Sequence, residues 1–302
     1  MTATQAKFSY SGHETFVCRY AWLPKAIKVV KKNPHAFKDE HEAMVALGVG
    51  KNMVRAIKYW AESAQVLQNT EEGHTVSPFG DRLLGYEGHD QFLERPETLW
   101  LLHWKIATNP TNPLYTWLQM LNYWHRSEFT ASEALIFLQK NLQAGEADKS
   151  ERTLADGIRV FINSYVPTRG RKGEIAEDHL DCPLVELNLL RETKAPAESV
   201  YCFNLEDKPA VSAALFAYSL EDFWTNQHPH ADFLEFTKVS TAEGSPGQIF
   251  KLPELAVRDR LEQLGDLTER KLQYVESSSL QQVIRKPSES LSIDLLDAIY
   301  ES

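Results

Sequence analysis

Apolar residues recur at helical spacing along most of the chain, interrupted by a few short alternating runs. PKAIKVVKK begins with Pro24, suited to a first helical position, and sets Ile27 and Val30 on one face. Asp39 stands where an N-cap belongs, ahead of EHEAMVALG, in which Ala43, Met44 and Leu47 share a face and Gly48 supplies the stop. After the GVG turn, KNMVRAIKYWAESAQVL carries Met53, Val54, Ile57, Trp60 and Ala61 on one stripe, with Lys51, Asn52, Arg55 and Lys58 largely off it. VLQNTEEGHTV reads as two short strands about a polar turn at Gly73. Helix, helix, three-residue turn, helix and hairpin is the order of a winged helix-turn-helix. In that arrangement the helix after the turn enters the major groove of DNA and the hairpin touches the backbone.

From Pro96 to about Val166 the pattern is strongly helical. PETLWLLHWKIATNP and PLYTWLQMLNYW place Trp100, Trp104, Trp117 and Trp124 at helical spacing, which predicts packed core rather than a base-stacking platform. Thr130 with Glu133 forms a capping-box pattern opening a helix through Leu142, and Ser150 caps ERTLADGIRVFINSYV. These two make a second helix-turn-helix candidate, with Lys149, Arg152 and Arg159 as its cations. PTRGRKGEIAEDHL marks a boundary. Beyond it come a strand (VYCFNL), helices (SAALFAYSLEDFW, PELAVRDRLEQLG) and two strand-like runs (LQYVES, SLQQVIRK), readable as a degenerate third winged unit. The expected fold is mainly α with small β wings. Its expected divisions are 1–92, an N-terminal winged helix-turn-helix; 93–172, a helical domain; and 173–302, an α+β domain.

Composition changes this picture in one respect. The 302 residues are 43% hydrophobic and 25% charged, as in an ordinary soluble globular protein, and the net charge is −10. The charge is segregated, however. Residues 1–60 hold ten Lys/Arg against four Asp/Glu, a net of +6, which leaves −16 on the remaining 242. A basic amino end on an acidic chain directs attention to a nucleic-acid surface there. No apolar run approaches the ~20 residues that cross a bilayer, and MTATQAKFSY lacks a signal-peptide core, so a cytoplasmic protein without a membrane partner is expected. Three widely spaced cysteines, Cys18, Cys182 and Cys202, fit neither a disulfide framework nor a CxxC metal site.

Common enzyme signatures are absent: no phosphate loop, GxGxxG, HExxH or GxSxG occurs. GHETF puts His13 beside Glu14, with Arg19 a short way on. An imidazole base, a carboxylate orienting it and a cation for a phosphate suit phosphodiester cleavage, although the same residues also suit a purely structural role. EDHLDCPLVEL offers Glu177, Asp178, Asp181 and Glu186 as oxygen ligands for magnesium or manganese, the candidate cofactors; which residues would bind the metal is left open. Cys182 has no adjacent base. Lys51, Asn52, Arg55 and Lys58 are the expected recognition-helix contacts to double-stranded DNA, and Arg169, Arg171 and Lys172 a candidate loop contact to phosphates. That reading requires the α-helical cations to stand on an open face rather than against acidic neighbours.

Six stretches in order, FSYSGHETF, LGVGKNMVRAIKYW, SPFGDRLL, LWLLHWKIATNP, LDCPLVEL and EGSPGQIFKL, resemble a bacterial family of unknown-function domains that includes the SspB-like proteins of DNA phosphorothioation loci. The similarity runs from about Phe8 to about Tyr274. The resemblance implies a part in replacing a non-bridging phosphate oxygen of DNA with sulfur, within a phage-defence system. In the single-strand form of that system, the SspB-like component is associated with nicking. It also implies partners: a cysteine desulfurase, an ATP-pyrophosphatase-like sulfur-transfer enzyme and an ATPase. It carries over no catalytic residues. A nicking endonuclease is therefore the leading expectation, beside a non-enzymatic DNA-recognition adaptor that recruits the sulfur-transfer enzyme, and a transcriptional regulator of the locus.

Overall fold

Side chains placed to cap helices do so throughout the computed structural model, which describes residues 8–142, 149–167, 182–286 and 291–301. The first helix, α1 (Trp22–Lys32), starts two residues ahead of Pro24. The proline falls in the first turn, where its missing N–H leaves no bond unmade. Trp22, Leu23, Ala26, Ile27 and Val30 form its buried face. In α2 (Glu40–Leu47) the Asp39 carboxylate accepts the amides of His41 and Glu42 at 2.8 and 3.0 Å, and Gly48, at φ 68°, closes the helix in the left-handed region. The next helix, α3 (Lys51–Ser63), buries Val54, Ile57, Trp60 and Ala61 as the stripe predicts. Strands β1 (Leu67–Thr70) and β2 (Gly73–Val76) pair antiparallel with Leu67 opposite Val76, and α4 (Pro78–Leu84) follows under the Ser77 cap. Helix α1 packs on α2, α3, α4 and β2.

Helix α5 (Pro96–Ala107) is buried around its whole circumference from Thr98 onward, as a helix apolar on every side must be. A single α-turn, α6 (Tyr115–Leu118), runs into a π-helical turn at Gln119–Tyr123, where regular helix is expected from the spacing. After β3 (Glu128–Phe129), the reciprocal Thr130–Glu133 capping box opens α7 (Ala131–Lys140), which ends two residues short of Leu142. Ser150 caps α8 (Glu151–Tyr165). A 3-10 turn (Pro183–Leu187) leads to β4 (Leu190–Thr193) and β5 (Val200–Phe203), and the sheet order is β3-β5-β4. All four tryptophans at helical spacing are core residues, none more than 5% exposed. The Trp117 indole donates to the Tyr165 hydroxyl at 2.9 Å, and that hydroxyl in turn reaches Nδ1 of the fully buried His103 at 2.7 Å.

These elements up to Met120, with His125–Phe203, make one compact unit. Leu121–Trp124 belongs with Asn204–Ser302 in a second. In the second unit α9 (Ala213–Gln227), capped by Ser212, is followed by β6 (Phe233–Glu235), α10 (Phe236–Thr241), α11 (Pro246–Ile249), α12 (Glu254–Glu262) and α13 (Leu264–Leu267). The two strand-like runs become β7 (Leu272–Glu276) and β8 (Gln281–Arg285) in a β6-β8-β7 sheet, and α14 (Ser292–Ala298) packs on α9. Three buried cations hold backbone carbonyls here. Lys208 donates to Asn204, Glu206 and Lys251 at 2.9, 2.7 and 3.2 Å. Arg260 donates to Val211, Ala256 and Lys208 at 2.6, 2.7 and 2.8 Å. Lys251 donates to Leu121, a carbonyl freed by the π turn, at 2.5 Å, and burial lowers its ammonium pKa to about 8. Gln248 supports the same carbonyl, and Asn122 accepts the Gly244 amide.

Candidate nucleic-acid interface and adjoining cavity

The turn between α2 and α3 stands open. Gly48 needs its glycine for the positive φ, but Gly50, at φ −73°, does not. A Cβ built on either glycine meets nothing within 4 Å. Gly50 also gives α3 no side-chain cap, so the positive end of that helix carries amides that no cap occupies. Lys51, Asn52 and Arg55 are exposed and Lys58 is half-buried, all clear of the core stripe.

The cations there are not bare. Glu40 of α2 takes both Lys51 (2.7 Å) and Arg55 (2.6 Å), and Arg55 also lies 4.0 Å from Glu14. Lys58 is 3.9 Å from Glu62, which binds His74 of the hairpin at 2.7 Å. The two cations beside it hold the Glu40 carboxyl below its ordinary pKa, and their side chains remain 54% and 44% exposed. Pairs this wet are weak and exchangeable. Of these four, only Asn52 has a side chain with no polar partner among the described residues. The face is exposed, but Lys51, Arg55 and Lys58 each stand against a carboxylate, so the expectation of cations clear of acidic neighbours is not met, and the face is a string of alternating charge.

Unopposed cations lie close by on α1. Lys25, Lys28 and Lys32 sit exposed on α1 beside a groove of about 460 Å³ between α1 and α2, and no acid pairs with any of them among the described residues. Their neighbour Lys31 is taken by Asp81. The i, i+3, i+7 spacing of the three is legible in the sequence, apart from the apolar face of the same helix.

His13 and Glu14 line a second cavity, of about 280 Å³, closed on its other side by Thr153 and Asp156 of α8. The backbone that builds it is strained. Gly12, Glu14 and Thr15 all have positive φ (118°, 48° and 65°), and a side chain on Gly12 would meet the Tyr59 ring of α3 at 2.6 Å. The Trp60 indole holds the end of the segment by donating to the Phe16 carbonyl at 3.1 Å. His13 is 4% exposed. Its Nδ1 accepts the Thr15 amide at 3.1 Å, which leaves the ring proton on Nε2. Burial depresses its pKa to about 4, with Asp156 pulling it up and Arg159 pushing it down, so the ring is a neutral donor at neutral pH. Arg19 does not join it: it is not among the residues lining the cavity, and its guanidinium lies over the Trp22 ring at 5.5 Å.

Two carboxylates, Glu14 and Asp156, and the hydroxyls of Ser11 and Thr153 line the same cavity, an all-oxygen set of the type magnesium or manganese accepts beside a phosphate. Arg159 pairs with Asp156 at 2.7 Å, and no group of three His, Cys, Asp or Glu side chains converges as a metal cage among the described residues. Glu186 is exposed and bonded by the Tyr20 hydroxyl, while Glu177, Asp178 and Asp181, like Arg169, Arg171 and Lys172, lie outside the described residues. All three cysteines are free thiols. Burial pushes Cys182 up to about 12 and Cys18 well above its usual range, which leaves both protonated and poor nucleophiles.

Two solved structures, an SspB crystal structure and a magnesium ion-bound SspB crystal structure, match this fold with TM-scores of 0.86 and 0.87. Each is 27% identical to it over 98% of this chain and 89% of the other. No curated protein matches. No helix of the structure is long and apolar enough to cross a membrane among the described residues. The model of a family described as a protein of unknown function, DUF4007, matches residues 10–300, and the chain belongs to that family.

Proposed function

We propose that this chain is the DNA-engaging component of a DNA phosphorothioation and phage-defence system, and that it nicks one strand so that sulfur can be inserted. The likeness to SspB structures and the family membership support the setting. The observation that carries the DNA reading is the border shared by two features: Arg55 of α3 reaches toward Glu14, on the rim of the cavity that holds His13. A duplex lying on α3 would thus bring a phosphate to a strained, partly closed pocket.

In this reading residues 1–92 act as a winged helix-turn-helix. Lys51, Arg55 and Lys58 exchange their carboxylate partners for phosphates, Asn52 reads a base edge, and the bare Gly50 lets a backbone phosphate approach the amino end of α3. His13 donates from Nε2 to a phosphate oxygen, since serving as a base would require it to surrender the Thr15 bond or change tautomer. Glu14 and Asp156 would hold magnesium or manganese, which would neutralise charge on the phosphate. Arg19 acts through Trp22 on the position of α1 rather than on the phosphate itself. The partners are double-stranded DNA, a cysteine desulfurase, an ATP-pyrophosphatase-like sulfur-transfer enzyme and an ATPase.

Incubation of the protein with supercoiled plasmid and Mg²⁺ or Mn²⁺ tests the reading. Open circles are expected, and their loss in His13→Ala with binding retained. Supercoils that persist under both metals, with duplex binding intact, would leave the second reading, a DNA-recognition adaptor. That reading is favoured by the commitment of His13 Nδ1 to the Thr15 amide, which leaves the ring no free lone pair to act as a base.

A further inference from the structure

We infer that Lys25, Lys28 and Lys32 on α1 form the strip that grips the phosphate backbone of duplex DNA, so that salt-dependent affinity resides there rather than on α3. This rests on the DNA reading above and adds to it a surface outside the α2–α3 turn. Successive steps of 300° and 40° around the helix put the three lysines within a 60° stripe, at 100° per residue. They rise about 10 Å along the axis, matching about three nucleotides of one strand.

Three observations set this stripe apart. None of the three ammonium groups has an ion-pair partner among the described residues, and all three residues are exposed. The groove beside them has Val29 and Leu47 in its lining, apolar surface along which lysine stems can lie while the heads stay in water. Glu42 is the one acid lining that groove, so the strip keeps a surplus of positive charge. On α3, by contrast, a phosphate must first displace Glu40 or Glu62 from the cation it meets, and each displacement returns an unpaired carboxylate to the neighbourhood of the DNA. Counterion release per contact is therefore larger on α1.

The test is the affinity of a short duplex measured at several salt concentrations for the full chain and for the triple variant Lys25→Gln, Lys28→Gln, Lys32→Gln. These positions are exposed, so the far-ultraviolet spectrum and unfolding midpoint should not move. The slope of log K against log salt should fall by about 2–3, at roughly 0.9 for each phosphate contact. Replacing all three by arginine should restore it. An unchanged slope in the glutamine variant, with the parent chain binding normally, would overturn the inference while sparing the DNA reading. A parent chain that does not bind the duplex would overturn both. If the glutamine variant keeps the duplex but loses polyglutamate, the groove docks an acidic protein segment and the inference falls.

Discussion

Lys51 and Arg55 of the first unit lie half in water and share one carboxylate, Glu40, whereas Arg260 and Lys208 of the second lie out of water and hold backbone carbonyls, Arg260 pairing with Asp207 besides. The residue types are alike and the uses are opposite. A wet pair gives up its partner readily, which suits a surface that must trade carboxylates for phosphates. A buried guanidinium with three carbonyl acceptors cannot move without leaving several polar groups unsatisfied, which suits a fixed joint. Net charge counted along a sequence does not separate these uses. The acidic total of the later residues conceals cations that no ligand can reach.

The comparison can be broken most forcefully at Arg260. Arg260→Met should lower stability by about 3–5 kcal/mol, seen as an early transition in urea unfolding, because three carbonyls lose their donor. Lys51→Ala with Arg55→Ala should leave that transition in place. If the two variants behave alike, the distinction between exchangeable and fixed cations is wrong.

His13 sharpens the contrast, being a buried neutral base within the unit of wet cations. Unfolded, it takes up a proton near its ordinary pKa of 6.5; folded, it resists until about 4. Between those values the unfolded chain binds more protons, so stability is retained above 6.5 and falls as the pH drops toward 4, by up to about 3 kcal/mol. His13→Gln should flatten this part of the unfolding midpoint against pH. An equally steep acid limb in that variant would place the buried proton acceptor elsewhere.

Smaller effects are expected at the turn. Glu40→Gln frees Lys51 and Arg55 together, and duplex affinity at low salt should rise roughly threefold. Gly50→Ser supplies α3 with a side-chain cap and should change the unfolding free energy by about a few tenths of a kcal/mol at most. The same change should weaken duplex binding, since it fills the space left open at the helix end. Undiminished binding by Gly50→Ser would remove the case for a phosphate at that position.

Much of the architecture was legible because its signals are local. Asp39, Thr130 with Glu133, and Ser150 cap helices through atoms two or three residues away, and the stripe Val54, Ile57, Trp60 needs nothing outside α3. The charge state of the α3 face was not legible, because Glu40 lies fifteen residues from Arg55 and on another helix. The His13 cavity was legible only by half: GHETF supplies one wall, but Thr153 and Asp156 arrive from far along the chain. The π turn escaped because its cause is also remote. The carbonyls it frees are taken by Gln248 and Lys251, more than 120 residues onward.

That turn bears on how the protein can be divided. The four residues 121–124 sit in the middle of the first unit's sequence yet belong to the second, and they supply the acceptors for Gly244, Gln248 and Lys251. A fragment beginning at Asn204 would therefore lack part of its own interior. The carboxy-terminal unit is completed only when the middle of the chain has been made, and severing the polypeptide near residue 203 separates it from a piece it cannot replace.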